Sequence, residues 1–288
     1  MKSDDKIYAI TIAPYFIIML VLTAIPVIFL IYISFTGLKL TNLSGTFSLT
    51  GLTNYIQLVT DQRFLHSMWV TIKFIVFQVT IQLVLGFLIA LLINSIQKGS
   101  TIIKSLFVIP LVVPPVLVGL IFRVLCTPQL GGIGWVLDIL GLPAIDWLSS
   151  PTAAFWAVIM AAVWVWTPYV ILMYSAALET MPKEPFEAAK IDGASFFQMT
   201  YYITLPLLKP ITYIVVFFRI LEAMAIFPII YTMTSGGPAQ ATEPTNYLVF
   251  QNAFHYYKIG YAASMMLVFF ALLIIFNLFF VRGIIKRM

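Results

Sequence analysis

The chain has 288 residues, of which 61% are hydrophobic and only 9% charged. Soluble domains carry roughly a quarter charged residues, so a water-soluble globule is excluded. The net charge of +5 resides in short stretches between long apolar runs, which makes it a sign of membrane sidedness rather than of nucleic-acid binding.

Charge-free runs occupy 7–38, 74–97, 105–122, 147–178 and 259–281, and a sixth run, 209–233, is interrupted by Arg219 and Glu222. A transmembrane helix needs about 20 such residues, and continuous rather than alternating apolarity excludes barrel strands. The expectation is an all-α membrane protein with six transmembrane helices. Its parts would be an N-terminal span with an outer segment, 1–66, and a core, 67–288, containing a cytoplasmic loop at 179–208.

Span 1, about 9–35, carries Pro14 and Pro26. Its charged start, Met1-Lys2-Ser3-Asp4-Asp5-Lys6, has the look of a signal peptide. The apolar run exceeds the roughly 7–15 residues of a signal core, so it is read as a retained anchor. The segment 36–66 is rich in Thr, Gly and Asn and predicts a short amphipathic helix near Asn54–Thr60. Span 2 covers about 67–94. Span 3, about 102–126, holds Pro110, Pro114 and Pro115, and each proline removes a backbone donor and crowds the preceding turn, which predicts a kink or unwound stretch. It ends at Cys126, the one cysteine, which has no internal disulfide partner. The segment 127–151, with Gly131-Gly132 and Pro143, reads as loop with a short helix, and span 4 covers about 152–178.

A polar loop of about thirty residues follows. Pro185 is placed to open a helix, whose first turn has no use for the missing N–H. Gly193 can take the left-handed backbone that closes it, and Ser195 can cap a second helix. Leu205-Pro206 is expected to stop that second helix before span 5, 209–233. Beyond Thr234-Ser235-Gly236-Gly237-Pro238, span 6 covers about 259–282. With six spans, Lys2, Lys6, Lys98, Lys104, Lys183, Lys190, Lys209, Arg282, Lys286 and Arg287 share one side with both termini, against Lys39, Arg63 and Lys258 on the other. Excess Lys and Arg marks the cytoplasmic side.

Within the loop, Glu187-Ala188-Ala189, then Asp192-Gly193-Ala194, then Ile203-Thr204-Leu205-Pro206 resembles the EAA loop of permease subunits of bacterial and archaeal ABC importers. Phe35 with Gly51-Leu52-Thr53-Asn54-Tyr55, the Thr-x-Gly-Gly-Pro piece with Thr242, and Gly260-Tyr261-Ala262-Ala263 are similar to the carbohydrate-uptake branch of that family, such as maltose, glycerol-phosphate and polyol permeases. The resemblance implies a type I importer permease fold in the inner membrane of a prokaryote. It also implies a non-catalytic subunit that moves a sugar, oligosaccharide or polyol. Implied partners are a second permease, in a heterodimer, two cytoplasmic ATPases that hold ATP and Mg, and an extracytoplasmic solute-binding protein. By the same resemblance Glu187, Ala188, Ala189, Asp192 and Gly193 form a coupling helix that sits in a cleft of the ATPase. Alternatives are a permease for a non-sugar solute such as a glycerol phosphodiester, or a secondary transporter that needs no ATPase.

Chemistry within the chain is sparse. No Gly-x-x-x-x-Gly-Lys-Ser/Thr cradle for phosphates occurs. His66 and His255 lack metal-ligand neighbours at short spacing and read as surface residues, so no catalytic residue, metal site or bound cofactor is expected. Charge inside a span is costly, about 2.5–3.5 kcal/mol at a helix centre on insertion scales, so Arg219 and Glu222 should face a partner or a wet cavity. Three residues apart, they share a helix face and could pair with each other. They could equally line a solute path, or join Arg123 or the second permease. Trp164, Trp166, Tyr169 and Tyr174 crowd span 4, where aromatic rings can stack on sugar faces or simply pack. The candidates for a substrate path are Trp164, Tyr169, Arg219, Glu222 and Ser264.

Overall fold

In the computed structural model, residues 2–41, 48–96, 98–128, 131–143 and 145–285 are described. Lys286 and Arg287, counted in the charge asymmetry, lie outside them. Among the described residues, five helices are long and apolar enough to cross a membrane, and a bent helix pair makes a sixth when taken as one broken span. The chain divides into two compact units, Met1–Leu65 with Leu248–Ile275 and His66–Tyr247 with Phe276–Met288.

In the first unit, α1 (Lys2–Ser34) passes through Pro14 and Pro26 without ending. Its stretch from Thr11 to Ser34 is almost wholly exposed and strongly apolar, as a lipid-facing surface should be. An antiparallel bridge pairs Thr36 with Leu49, and the amphipathic helix expected near Asn54–Thr60 is α2 (Thr53–Thr60). The Gly260-Tyr261 piece is tied to this segment: the Gly260 N–H donates to Leu38 O at 3.1 Å, and the Tyr261 hydroxyl donates to Asp61.

In the second unit, α3 (Gln62–Ser95) leads to α4 (Ser100–Val112) and α5 (Pro115–Leu125), which meet at 92°. The kink expected in span 3 is therefore a full break. A residue before proline is pushed out of the helical region. Pro114 and Pro115 do this to Val113 and Pro114, whose ψ values are 121° and 135°. Pro115 then opens α5, where its missing N–H costs nothing. The expected short helix in 127–151 is α6 (Gly132–Ile139), and α7 (Pro151–Glu179) is the most buried span.

The loop helix is α8 (Glu184–Ile191). The second half of the elbow corrects the sequence reading, because Leu205-Pro206 does not stop a helix there. α9 (Phe196–Met199), a π-helical turn at Thr200–Thr204 and α10 (Leu205–Met224) form one apolar helix of 29 residues. The Leu205 N–H bonds to Thr200 O, five residues back. The extra residue in that turn makes room where the Pro206 ring would otherwise press on the carbonyl four residues earlier. Span 5 accordingly begins inside the elbow and ends at Met224, whose carbonyl accepts from Asn246 Nδ2 at 2.8 Å. The rest of the 209–233 run is the separate α11 (Phe227–Met233). After α12 (Thr245–Phe250) and a π turn at Gln251–His255, α13 (Ile259–Ile285) ends the chain's described part.

The core of the second unit joins Phe74, Val118, Phe122, Phe155, Val165 and Ile230. Here α5 and α11 approach at Gly119. A β-carbon there would lie 1.9 Å from Thr232 Oγ1 and 2.9 Å from Ile229 O. Gly119→Ala must therefore push the two helices apart. The expected cost is about 1–3 kcal/mol of overpacking, read as a lower melting temperature of the detergent-solubilised protein.

Candidate functional site

The elbow is built by local rules. Pro185 sits in the first turn of α8, and Glu184 and Glu187 lie in that turn, where acidic groups oppose the helix dipole. At the other end Gly193 has φ +76°. Its N–H bonds to Lys190 O at 3.1 Å, and the Ala194 N–H bonds to Ala189 O at 2.9 Å. This pair of bonds is the Schellman closure that a left-handed residue permits. Ser195 immediately caps α9: its hydroxyl accepts from the Gln198 N–H at 3.3 Å, and the Gln198 side chain accepts from the Ser195 N–H at 2.7 Å. Two helices are thus joined through four residues, Asp192 to Ser195, by satisfied backbone groups, which makes a stiff bend.

The surface of the elbow is unlike that of a solvated loop. Glu187, Ala188, Asp192 and Gly193 are exposed and Ala189 is half-buried. Ile191 is 86% exposed and Phe197 81% exposed, large apolar side chains offered to solvent on a bend of fixed shape. Exposed apolar groups clustered this way mark an interaction surface. A groove of about 570 Å³ lies beside α8, lined by Asn94, Glu179, Lys183, Phe186, Glu187 and Thr200 among others. Lys104 on α4 pairs with Glu179 at the end of α7, tying two spans together at this groove.

The second candidate cluster centres on Arg219, which is 1% exposed. Of the open readings for Arg219 and Glu222, direct pairing with each other is not what the structure shows. Glu222 is exposed, and among the described residues no carboxylate lies within ion-pair distance of the guanidinium. Instead Arg219 Nε donates to Gln82 Oε1 on α3 at 3.0 Å, and the guanidinium lies 4.6 Å over the Trp166 ring on α7. Its Nη2 is buried without a partner among the described residues. Gln82 is itself held by donating from Nε2 to Ala162 O at 3.0 Å. A helix-interior arginine prefers these neutral partners because the aromatic face and the amide share its charge without requiring a second buried ion.

Of the five path candidates, Tyr169, Arg219 and Glu222 lie within electrostatic range of one another. Trp164 does not join them; it is 41% exposed and packs on Phe122. Ser264 belongs to the other unit, is fully buried, and its hydroxyl donates to Tyr261 O at 2.7 Å. Arg123 is occupied elsewhere, with Nη1 donating to Thr232 O at 3.3 Å. Gln82 and Gln78 are absent from the sequence-based candidates. Their signal is two amides one turn apart inside an apolar span, which places both on one face. In the Thr-x-Gly-Gly-Pro loop, the buried Thr242 hydroxyl donates to Gly237 O at 2.6 Å and lies 2.8 Å from Thr234 Oγ1. That motif therefore shapes its own turn. His66 and His255 are both exposed.

Residues 82–288 match the family model described as the binding-protein-dependent transport system inner membrane component. The chain is 37% identical over 210 residues to the trehalose/maltose transport system permease protein MalF of Thermococcus litoralis, across 73% of this chain and 70% of that protein. It is 33% identical over 271 residues to the sulfoquinovosyl glycerol transport system permease protein SmoG of Agrobacterium fabrum, across 94% of this chain and 87% of that protein. The fold matches the crystal structure of a bacterial ABC transporter involved in the import of the acidic polysaccharide alginate. The TM-score is 0.83 at 20% identity, over 99% of this chain and 96% of that one.

Proposed function

We propose that this chain, which belongs to the family of binding-protein-dependent transport system inner membrane components, forms half of the translocation pathway of an ATP-driven importer for a sugar, oligosaccharide or polyol. The observation that carries the coupling part of this reading is the elbow, a rigid bend with exposed Glu187, Ile191 and Phe197 at the ends of two spans. A surface of that kind suits a cleft in a separate ATPase, which holds ATP and Mg and supplies the hydrolysis that this chain lacks. The carbohydrate part is supported by relatives named for trehalose/maltose and for sulfoquinovosyl glycerol. Both termini and the elbow face the cytoplasm, in keeping with the Lys and Arg asymmetry. A second, similar permease completes the pathway as a heterodimer in a prokaryotic inner membrane. A loaded solute-binding protein delivers the solute from outside.

One specific observation favours a second reading, an importer of an anionic solute such as a glycerol phosphodiester: Arg219 is a buried cation with an unused donor. Proteoliposomes holding this chain, its partner permease and the ATPase distinguish the readings. Labelled trehalose and labelled glycerophosphodiester are supplied with the binding protein, with and without internal ATP. Uptake of the sugar that needs ATP is the expected result. Preference for the phosphodiester would establish the second reading, and uptake driven by an ion gradient without the ATPase would overturn both.

A further inference from the structure

We propose that α2 lies along the membrane–water boundary with Leu52, Ile56 and Val59 set into lipid, a peripheral anchor beside the end of α1. Successive residues on a helix are separated by about 100°, which divides α2 into three faces. Asn54 and Leu58 are buried against the unit. Leu52, Ile56 and Val59, spaced four and three residues apart, form an apolar stripe that is 61%, 69% and 75% exposed. Thr53, Gln57 and Thr60 form a polar flank, also exposed. A helix in water against a protein needs two faces, one apolar and one polar. A helix with protein on one side, lipid on the next and water on the third needs the arrangement seen here.

The depth of α2 is set by its attachments. Asn54 Nδ2 donates to Ser34 O at 2.8 Å and to Thr36 O at 2.9 Å, closing the carbonyl end of the lipid-exposed α1. The Tyr55 hydroxyl lies 2.6 Å from Ser34 Oγ, and its ring packs 5.3 Å from that of Phe35. One residue after α2, Asp61 Oδ1 accepts from the Arg63 N–H at 2.9 Å and the Phe64 N–H at 3.2 Å, capping the start of α3. The helix is therefore pinned at the level where one span ends and the next begins, which is the level of the lipid headgroups. Tyrosine is at home there, with its ring in the apolar layer and its hydroxyl among polar groups. The last turns of α1 likewise present uncovered apolar side chains, Ile28, Phe29 and Tyr32 among them. No charged residue occurs in Thr53–Thr60, so the anchor should not require anionic lipid.

The test uses the whole transporter in nanodiscs of zwitterionic lipid, with Cys126→Ala as background. Nitroxide labels are placed by Ile56→Cys, Val59→Cys, Gln57→Cys and Thr60→Cys, one at a time. Collision with oxygen, which concentrates in lipid, is compared with collision with a water-soluble nickel chelate. The expected oxygen-to-nickel ratio is several-fold higher at positions 56 and 59 than at 57 and 60. Nickel access at all four positions would place the stripe in water and overturn the anchor. Shielding of 56 and 59 from both reagents would mean that a protein covers the stripe, and would overturn it equally. Neither result depends on which solute the transporter carries or on its ATPase.

Discussion

Gly193→Val is expected to abolish most ATP-driven uptake while leaving the chain folded in the membrane. The φ of +76° at this residue is a conformation that costs a residue with a β-carbon about 1–2 kcal/mol. A penalty of that size lowers the bent population by roughly five- to thirtyfold. The space around Gly193 is open, with nothing within 4 Å of the position a β-carbon would occupy, so the loss is one of backbone shape and not of collision. The series should be graded accordingly: Gly193→Asn retains most uptake because asparagine tolerates the left-handed region, Gly193→Ala loses part, and the β-branched valine loses most. Glu187→Ala provides the complementary case. An exposed side chain outside any buried network changes stability by no more than about 0.5 kcal/mol, so a loss of uptake would report on docking. The measurements are sugar uptake, ATP turnover and the amount of ATPase that copurifies. Normal uptake and normal ATPase attachment in both Gly193→Val and Glu187→Ala would eliminate the elbow as the coupling surface.

The elbow was legible because everything that shapes it is local. Pro185, Gly193 and Ser195 act on backbone groups within five residues, and their effects can be written down from spacing alone. Leu205-Pro206 was misread for an instructive reason. Proline forbids an ordinary helical bond at its own position, but a helix that inserts one residue into the preceding turn can pass through. The Thr200–Thr204 turn does this, and no composition rule distinguishes that outcome from a stop. The same limit explains the 209–233 run, read as one span because hydropathy does not register the break at Ala225. Pro114-Pro115 was legible as a disturbance, although its size, a 92° bend, depends on what packs against both halves. Arg219 was legible as an anomaly but not in its partners. Gln82 is 137 positions away in the chain, and the nearer Glu222 was the natural guess from a spacing of three. A long-range contact between two spans leaves no periodic trace in either.

Arg219 also carries the second large effect, in which stability and transport should move in opposite directions. Among the described residues the buried guanidinium has no carboxylate within ion-pair range and its Nη2 has no acceptor. A charge in that position is expensive, about 2.5–3.5 kcal/mol on insertion scales even before its partners are counted. Gln82 and the Trp166 ring offset only part of this. Arg219→Met keeps most of the side-chain volume, removes the charge and leaves one amide oxygen of Gln82 to find another donor. Filling the site with an apolar side chain of similar volume removes that desolvation cost and leaves no buried counter-ion behind. The melting temperature of the purified transporter should therefore hold or rise. Uptake should fall at least tenfold if the free Nη2 is held in reserve for a solute hydroxyl or anionic group, because methionine offers no donor. Arg219→Lys separates the two roles, since it retains charge but loses the planar group that stacks on Trp166 and reaches Gln82. Partial uptake with lowered stability is expected for lysine. If Arg219→Met instead melts well below the parent and transports normally per folded molecule, Arg219 is a strut between α3, α7 and α10, and the solute passes elsewhere.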